Sequence, residues 1–363
     1  MTERFCFELA RPEDGRELLE ILETQAFSGG IGLLYTRRPD AYASFGEEGD
    51  EVEIVVCRDQ REGRIAGMGV SACRTLLVNG KPERAAYLFG LRARPEYARA
   101  TNALHRGYAR LRDLERSAPG LFLTSILEEN EYARRLLEKK RSFMPEYRPL
   151  TGYTVYVFAA KHGGRSGGTA HRAAPRDHPR LVSFLQREGA AQQFFPHITG
   201  NSFGRPPFTG LTVENFFIEE ENGEVMAAAA LWDRSRHKQY IVKGYGGIMR
   251  AVRPISFLFP LFGLPALPPA GTELPAVFLS LVCVRGNDPA RLDRLLESCL
   301  RAAPPRSLLI AGAADGHPFC PVFDSRRHIG YRSRMYSVIW PEMRDAARDV
   351  PAREPMYFEC GLL

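Results

Sequence analysis

Between Lys161 and Arg172 the chain reads KHGGRSGGTAHR, with four glycines and no large apolar side chain. Such a segment has nothing to bury, so it predicts a linker and divides the chain before any secondary structure is assigned. The predicted organisation is a first unit over 1–160, the linker at 161–172, a second unit over 173–340 and a tail over 341–363. With 363 residues in all, each unit is long enough to bury its own core.

The first unit alternates strand and helix signals. Phe5 to Leu9 reads as a strand, and Leu18, Leu19, Leu22 and Ala26 follow at helical spacing. A glycine-rich loop is expected from Phe27 to Tyr42. Val52 to Cys57 and Ile65 to Thr75 form a hairpin pattern, and Ala85 to Ala93 is a further strand. Ala103 to Ser117 predicts a helix, Leu121 to Leu127 a buried strand, Asn130 to Lys140 a helix and Tyr153 to Ala159 a last strand. Hairpins followed by a strand–helix–strand crossover define an α/β (α+β) class, a mixed, mostly antiparallel sheet flanked by helices. The second unit repeats this order loosely. ARPED, ending at Asp14, is echoed by AAPRD, ending at Asp177. Asn215 to Glu220 and Val225 to Trp232 read as a hairpin that Tyr240 to Tyr245 extends. Phe278 to Val284, Leu308 to Ala311 and Tyr336 to Trp340 are strands, and Asp288 caps a helix over Pro289 to Ala302. Two tandem units, each with its own sheet, are expected.

Charge narrows the partners. The net charge is +6, but 43 of the 49 basic residues are arginine and they are spread along the whole chain. A nucleic-acid footprint would cluster on one face, so no nucleic-acid partner is expected. The seven cysteines are widely spaced with no C-x-x-C pair, which suits reduced thiols in a cytoplasmic protein. The eight histidines form no ligand pattern, so no metal is expected. The longest apolar stretch, Ile255 to Leu267, is broken by Pro260 and Pro265, and the start of the chain is charged. Neither a membrane partner nor a secretory leader is expected.

The chemistry concentrates in two stretches. In Tyr87 to Tyr108, YLFGLRARPEYARATNALHRGY, a strand runs through a loop into a helix N-terminus, whose free N–H groups suit a pyrophosphate. In Leu121 to Phe143, LFLTSILEENEYARRLLEKKRSF, a buried strand passes through an acidic turn to an amphipathic helix. These stretches resemble the GNAT superfamily of acyl-CoA-dependent N-acetyltransferases. Arg92 to Tyr97 resembles the strand leading into the CoA pyrophosphate loop, and the helix from Asn130 resembles the one after the next strand. With the run Tyr87-Leu88-Phe89-Gly90-Leu91-Arg92 in the first unit and a second unit beginning near Phe194-Phe195-Pro196, the chain also resembles the plant HOOKLESS-type probable N-acetyltransferases and their bacterial relatives.

The resemblance implies an acetyl-CoA co-substrate held by Leu91, Arg92 and Ala93, by the turn Arg99, Ala100, Thr101, Asn102 and Ala103, and by Asn130. It implies an amine acceptor, a small molecule or a peptide. The candidate catalytic groups are Glu128, Tyr132 and a terminal carboxylate on Leu363, since some multi-unit relatives use the chain's own end as base. The sequence departs from the family at three points, the first being Ala98, which stands where the loop carries its arginine. Thr101 stands where the loop carries its first glycine, and Leu137 stands where many members place a tyrosine acid, which leucine cannot replace. A non-catalytic module binding a ligand or protein between its units is the alternative. The Arg285-Gly286-Asn287-Asp288 turn of the second unit reads as a helix cap without a cofactor. Residues 27–42 and 255–269, with Phe257 and Phe262, are expected to shape a substrate pocket or to pack between the units. The apolar end, Met356 to Leu363, is expected to dock between them.

Overall fold

The computed structural model describes residues 4–24, 31–97, 101–114, 120–141, 144–161, 169–262, 267–341 and 354–363. Most of the linker (162–168) and most of the tail helix expected over 341–349 lie outside these.

The first half supplies β1 (Phe5–Leu9), α1 (Gly15–Glu23), β2 (Ile31–Thr36), α2 (Ala41–Gly46), β3 (Glu51–Asp59), β4 (Arg64–Val78), β5 (Lys81–Ala93), α3 (Thr101–Leu114), β6 (Leu121–Leu127), α4 (Glu131–Leu137) and β7 (Glu146–Ala159). The second supplies β8 (His171–Arg172), α5 (His178–Gly189), β9 (Phe216–Glu221), β10 (Glu224–Asp233), β11 (Gln239–Tyr245), α6 (Gly247–Val252), β12 (Ala276–Val284), α7 (Pro289–Ala302), β13 (Leu308–Ala314), α8 (Cys320–Asp324) and β14 (Ile329–Ile339). Each half is a mixed, mostly antiparallel sheet flanked by helices. Each has a single parallel pair, β5 with β6 and β12 with β13, crossed over by α3 and α7. The ARPED echo has a structural counterpart. Asp14 and Asp177 each accept a hydrogen bond from the backbone N–H three residues earlier, Arg11 at 2.9 Å and Ala174 at 2.7 Å, and so fix the entry to α1 and α5.

The expectation of two separate sheets needs correction. Each half gives its last strand to the other: β14 pairs with β6, and β7 pairs with β13. β7 and β14 then pair with each other from Ile329↔Val157 to Ile339↔Glu146. One sheet of twelve strands results, in the order β1-β3-β4-β5-β6-β14-β7-β13-β12-β10-β9-β8. A strand that closes an antiparallel edge fits either of two equivalent edges, so its local pattern does not choose between them.

Two further expectations change. The loop expected over 27–42 contains β2 and the start of α2, with residues 25–30 outside the described ones. β11 does not extend the β9–β10 hairpin; it leaves the sheet and pairs with β2 of the first half.

The helices pack on both faces. α1 and α2 cover Ile54, Val56 and Val70, while Tyr108 and Leu111 of α3 cover Ala86, Leu88, Phe122 and Ile126. Because side chains alternate along β5, Tyr87 and Phe89 face the opposite side from Leu88. That side is covered near Tyr87 by Phe194, Met356 and Phe358.

Candidate active site

The parallel ladder between β5 and β6 is short. It runs from Ala85↔Leu121 to Tyr87↔Leu123 and then stops, although both strands continue. A bulge explains the parting. β5 shifts register against β4 between Phe89 and Arg92, and Gly90 adopts φ +64°. A Cβ at Gly90 would stand 3.2 Å from Val70 Cγ2, so both the backbone angle and the packing suit glycine. Side chains tie the fork just beyond the last rung. The Thr124 hydroxyl donates to the Leu88 carbonyl at 2.7 Å, and the Tyr87 hydroxyl meets Ser125 Oγ at 2.7 Å. Burial pushes the Tyr87 phenol up to about 12, so it keeps its proton at neutral pH.

Both strands point the same way, so their C-terminal ends and the N-termini of α3 and α4 gather at one end of the sheet. Leu91, Arg92 and Ala93 lie there, with Leu91 exposed and Arg92 donating to the Leu22 carbonyl at 3.3 Å. Thr101, Asn102 and Ala103 form the first turn of α3, which places its positive dipole end beside the fork. Arg99 and Ala100 lie outside the described residues, as do the side chains of 101–103. The Asn130 side chain caps α4 by accepting from Ala133 N at 3.1 Å. Glu128 is paired with Arg332 Nε at 3.4 Å, Tyr132 is 70% exposed, and Leu137 is buried against the α3 face of the sheet.

The second half carries the same bulge at the corresponding strand. β12 shifts register against β10 between Ser280 and Cys283, and Leu281 adopts φ +50°. Here the N–H groups at the bulge are occupied. Leu281 N donates to Glu359 Oε2 at 2.8 Å and Val282 N to the Tyr357 hydroxyl at 3.2 Å. The chain's own end therefore fills this position in the second half. At the next turn, Asp288 caps α7 by accepting from Ala290 N at 2.8 Å.

The segment from Met356 to Leu362 is buried throughout and contacts both halves. Phe358 stacks on Phe194 and meets Tyr153 edge-on, and Gly361 lies so close to Trp232 that a Cβ would stand 2.9 Å from its ring. Four buried cations take its carbonyls or stand next to them. Arg74 donates to Leu362 O at 2.8 Å, Arg234 to Gly361 O at 2.5 Å, and Lys238 to Leu363 O at 2.8 Å; Arg37 binds Glu48 at 2.6 Å. Glu48 is the acidic centre of the group, 3.0 Å from Arg234 Nη1. Burial alone would raise its carboxyl, but Arg234, Lys238, Arg37 and Arg74 together hold it well below the usual range. Burial brings the Lys238 ammonium down to about 7 and the Arg74 guanidinium to about 10.

Leu363 reaches the face of the fork opposite α3. It lines a cavity of about 30 Å³, room for a single water, together with Tyr87, Leu123, Arg74, Phe194 and Leu362. A groove of about 210 Å³ adjoins it between the halves, sharing Arg74, Leu76, Pro196 and Leu362 and bounded by Asp50, His197 and Arg205. Tyr87, Thr124, Arg74, Glu48, Arg234 and Lys238 were not among the sequence candidates. Tyr87 and Thr124 stood within the two stretches singled out, whereas Glu48 sits in a GEEGD run that carries no signal of burial.

No family model and no curated protein sequence matches the chain. Solved structures do. Saccharomyces cerevisiae N-myristoyltransferase with bound myristoyl-CoA is similar at a TM-score of 0.58 and 10% identity, covering 93% of this chain and 83% of that one. A GCN5-related N-acetyltransferase from Sphaerobacter thermophilus is similar at a TM-score of 0.53 and 14% identity, covering 94% and 98%. The chain thus has a GNAT-type fold in tandem, shared with acyltransferases.

Proposed function

We propose that the protein is an acyl-CoA-dependent N-acyltransferase, with acetyl-CoA as its donor and the first half as its cofactor-binding half. The observation that carries this is the pair of matching bulges. In the second half the bulge N–H groups hold a carboxylate and a hydroxyl, which supports the same geometry at Gly90 and Leu91 holding acceptor oxygens of a ligand. There the fork between β5 and β6 would take the thioester and pantetheine arm, with Leu91, Arg92 and Ala93 along one wall. The first turn of α3, from Thr101, and the Arg99–Ala100 turn before it would face the pyrophosphate.

In this reading the acceptor amine enters by the 210 Å³ groove and attacks the thioester carbon. A C–N bond forms, the C–S bond breaks, the ammonium proton passes to a base and the CoA thiolate leaves. Of the candidate bases Leu363 is the best placed, because its oxygen is held beside the fork by Lys238. Glu128, tied to Arg332, and the exposed Tyr132 are less well placed.

The test is calorimetric titration with acetyl-CoA and, separately, with a fourteen-carbon acyl-CoA. One equivalent of acetyl-CoA per chain is expected. Binding of the long-chain donor alone would replace the acetyl group in this reading. Binding of neither would remove the enzyme reading and leave a ligand- or protein-binding module.

A further inference from the structure

Between Asp233 and Glu273 the chain carries no acidic residue, while Arg234, Arg236, Lys238, Lys243, Arg250 and Arg253 all fall there. The structure projects the middle of this stretch away from the core. β11, paired only with β2 among the strands, leads into α6 and the 3-10 run Arg253–Phe262. Five large apolar side chains are exposed along it: Ile248 at 79%, Phe257 at 69%, and Met249, Ile255 and Leu258. These are half of all the exposed large apolar residues described, packed into eleven positions, so the segment neither fills the space between the halves nor lines the groove beside Leu363. Scattered exposed apolar residues are ordinary, but a contiguous set marks a surface that is covered in use.

The charge pattern selects what covers it. Arg250 and Arg253 are exposed and have no acidic partner in salt-bridge reach among the described residues; Arg253 lies over the Tyr245 ring. At the β2–β11 pair Glu23 and Glu273 act on Arg38, and Glu23 also draws on Lys243. An apolar edge bordered by cations, on a segment too short and too polar to cross a bilayer, is the pattern of an element lying in a membrane surface. We propose that residues 247–259 form an arm that inserts shallowly into an anionic lipid bilayer, with Ile248, Ile255, Phe257 and Leu258 among the acyl chains and Arg250 and Arg253 at the headgroup phosphates. This departs from the sequence-based expectation of no membrane partner, and it does not rest on the acyltransferase reading.

The full chain should sediment with vesicles of phosphatidylglycerol and phosphatidylcholine mixed equally, and far less with phosphatidylcholine alone. Arg250→Glu with Arg253→Glu should lower the partition coefficient at least roughly 30-fold. Phe257→Asp should lower it at least about tenfold with an unchanged thermal midpoint. In Phe257→Trp, a blue shift of the added emission on mixing with anionic vesicles is expected, since Trp232 and Trp340 are buried. Equal sedimentation with both lipids, none with either, or wild-type partition of Phe257→Asp would overturn the proposal. So would a lipid-free dimer that Phe257→Asp dissolves, which would give the arm to a second copy of the chain.

Discussion

Glu48 Oε2 lies 3.0 Å from Arg234 Nη1, and the two residues, each 1% exposed, come from opposite halves of the chain. Three other cations share that carboxylate, at distances from 2.6 to 3.7 Å. The group holds the halves and the chain's last residues in one register. Removing the anion would leave three buried guanidinium groups and the Lys238 amine facing one another.

Glu48→Gln should therefore cost about 3–5 kcal/mol in urea denaturation at pH 7.5. Glu51→Gln is the control. Its 2.7 Å pair with Arg84 is solvent-exposed, and its loss should cost no more than about 1 kcal/mol. Equal effects from the two substitutions would show that burial gives the Glu48 group no special weight.

Gly90→Val should close the fork. The left-handed φ and the 3.2 Å approach to Val70 are both hostile to a branched side chain, so a stability loss of about 1–3 kcal/mol is expected. Acetyl-CoA affinity should fall further than stability does, because the bulge parts β5 from β6. Wild-type affinity in a folded Gly90→Val protein would separate the bulge from ligand binding.

His317 gives the acid side of the stability profile a definite cause. Its ring is buried, Nδ1 accepts from Phe319 N at 3.2 Å, and Nε2 lies 3.2 Å from Gln192 Oε1. Burial lowers it to about 4, so the folded chain keeps it neutral where the unfolded chain protonates it near 6.5. The unfolded state then binds more protons, and stability falls as the pH drops from 6.5 towards 4. About 2 kcal/mol should be lost between pH 7 and pH 5, and His317→Gln should flatten that part of the curve. Denaturation midpoints at the two pH values measure it.

Phe358→Ala should cost about 3 kcal/mol, since the ring packs on Phe194 at 5.3 Å and Tyr153 at 6.0 Å in a closed interior. Deleting Leu363 alone should cost much less while removing the oxygen that Lys238 holds. Once an acceptor has been found, turnover lost in that deletion at an unchanged melting temperature supports Leu363 as the base. Normal turnover rejects it.

A protease should cut first between Lys161 and Arg172, where the sequence offers four glycines and no large apolar side chain to anchor the backbone. The two fragments should still elute together from a sizing column and part only in denaturant, because β7 and β14 are exchanged between them. Separation without denaturant would contradict the shared sheet.

The sequence carried the element order well, because periodicity and caps are local. The helix entries at Asp14 and Asp177 are fixed by bonds spanning three residues, and such bonds leave a mark in the sequence. The strand exchange left none, since β7 has the same alternation whether it pairs with β6 or with β13. The candidate site divides in the same way. Leu91 to Ala93 and the start of α3 follow from one strand–loop–helix stretch. Glu48 is buried only through contacts with residues as distant as Arg234 and Lys238, and its own surroundings, Gly46 to Asp50, read as a solvated turn.

The exchange of final strands also sets a timetable for synthesis. β6 is complete once Leu127 is made, but the strand that covers its edge begins at Ile329, about 200 residues later. At ordinary elongation speeds of about 5–20 residues per second, that edge waits for about 10–40 s. Throughout that interval the nascent first half offers unpaired backbone to any neighbouring strand, including one on another ribosome of the same message.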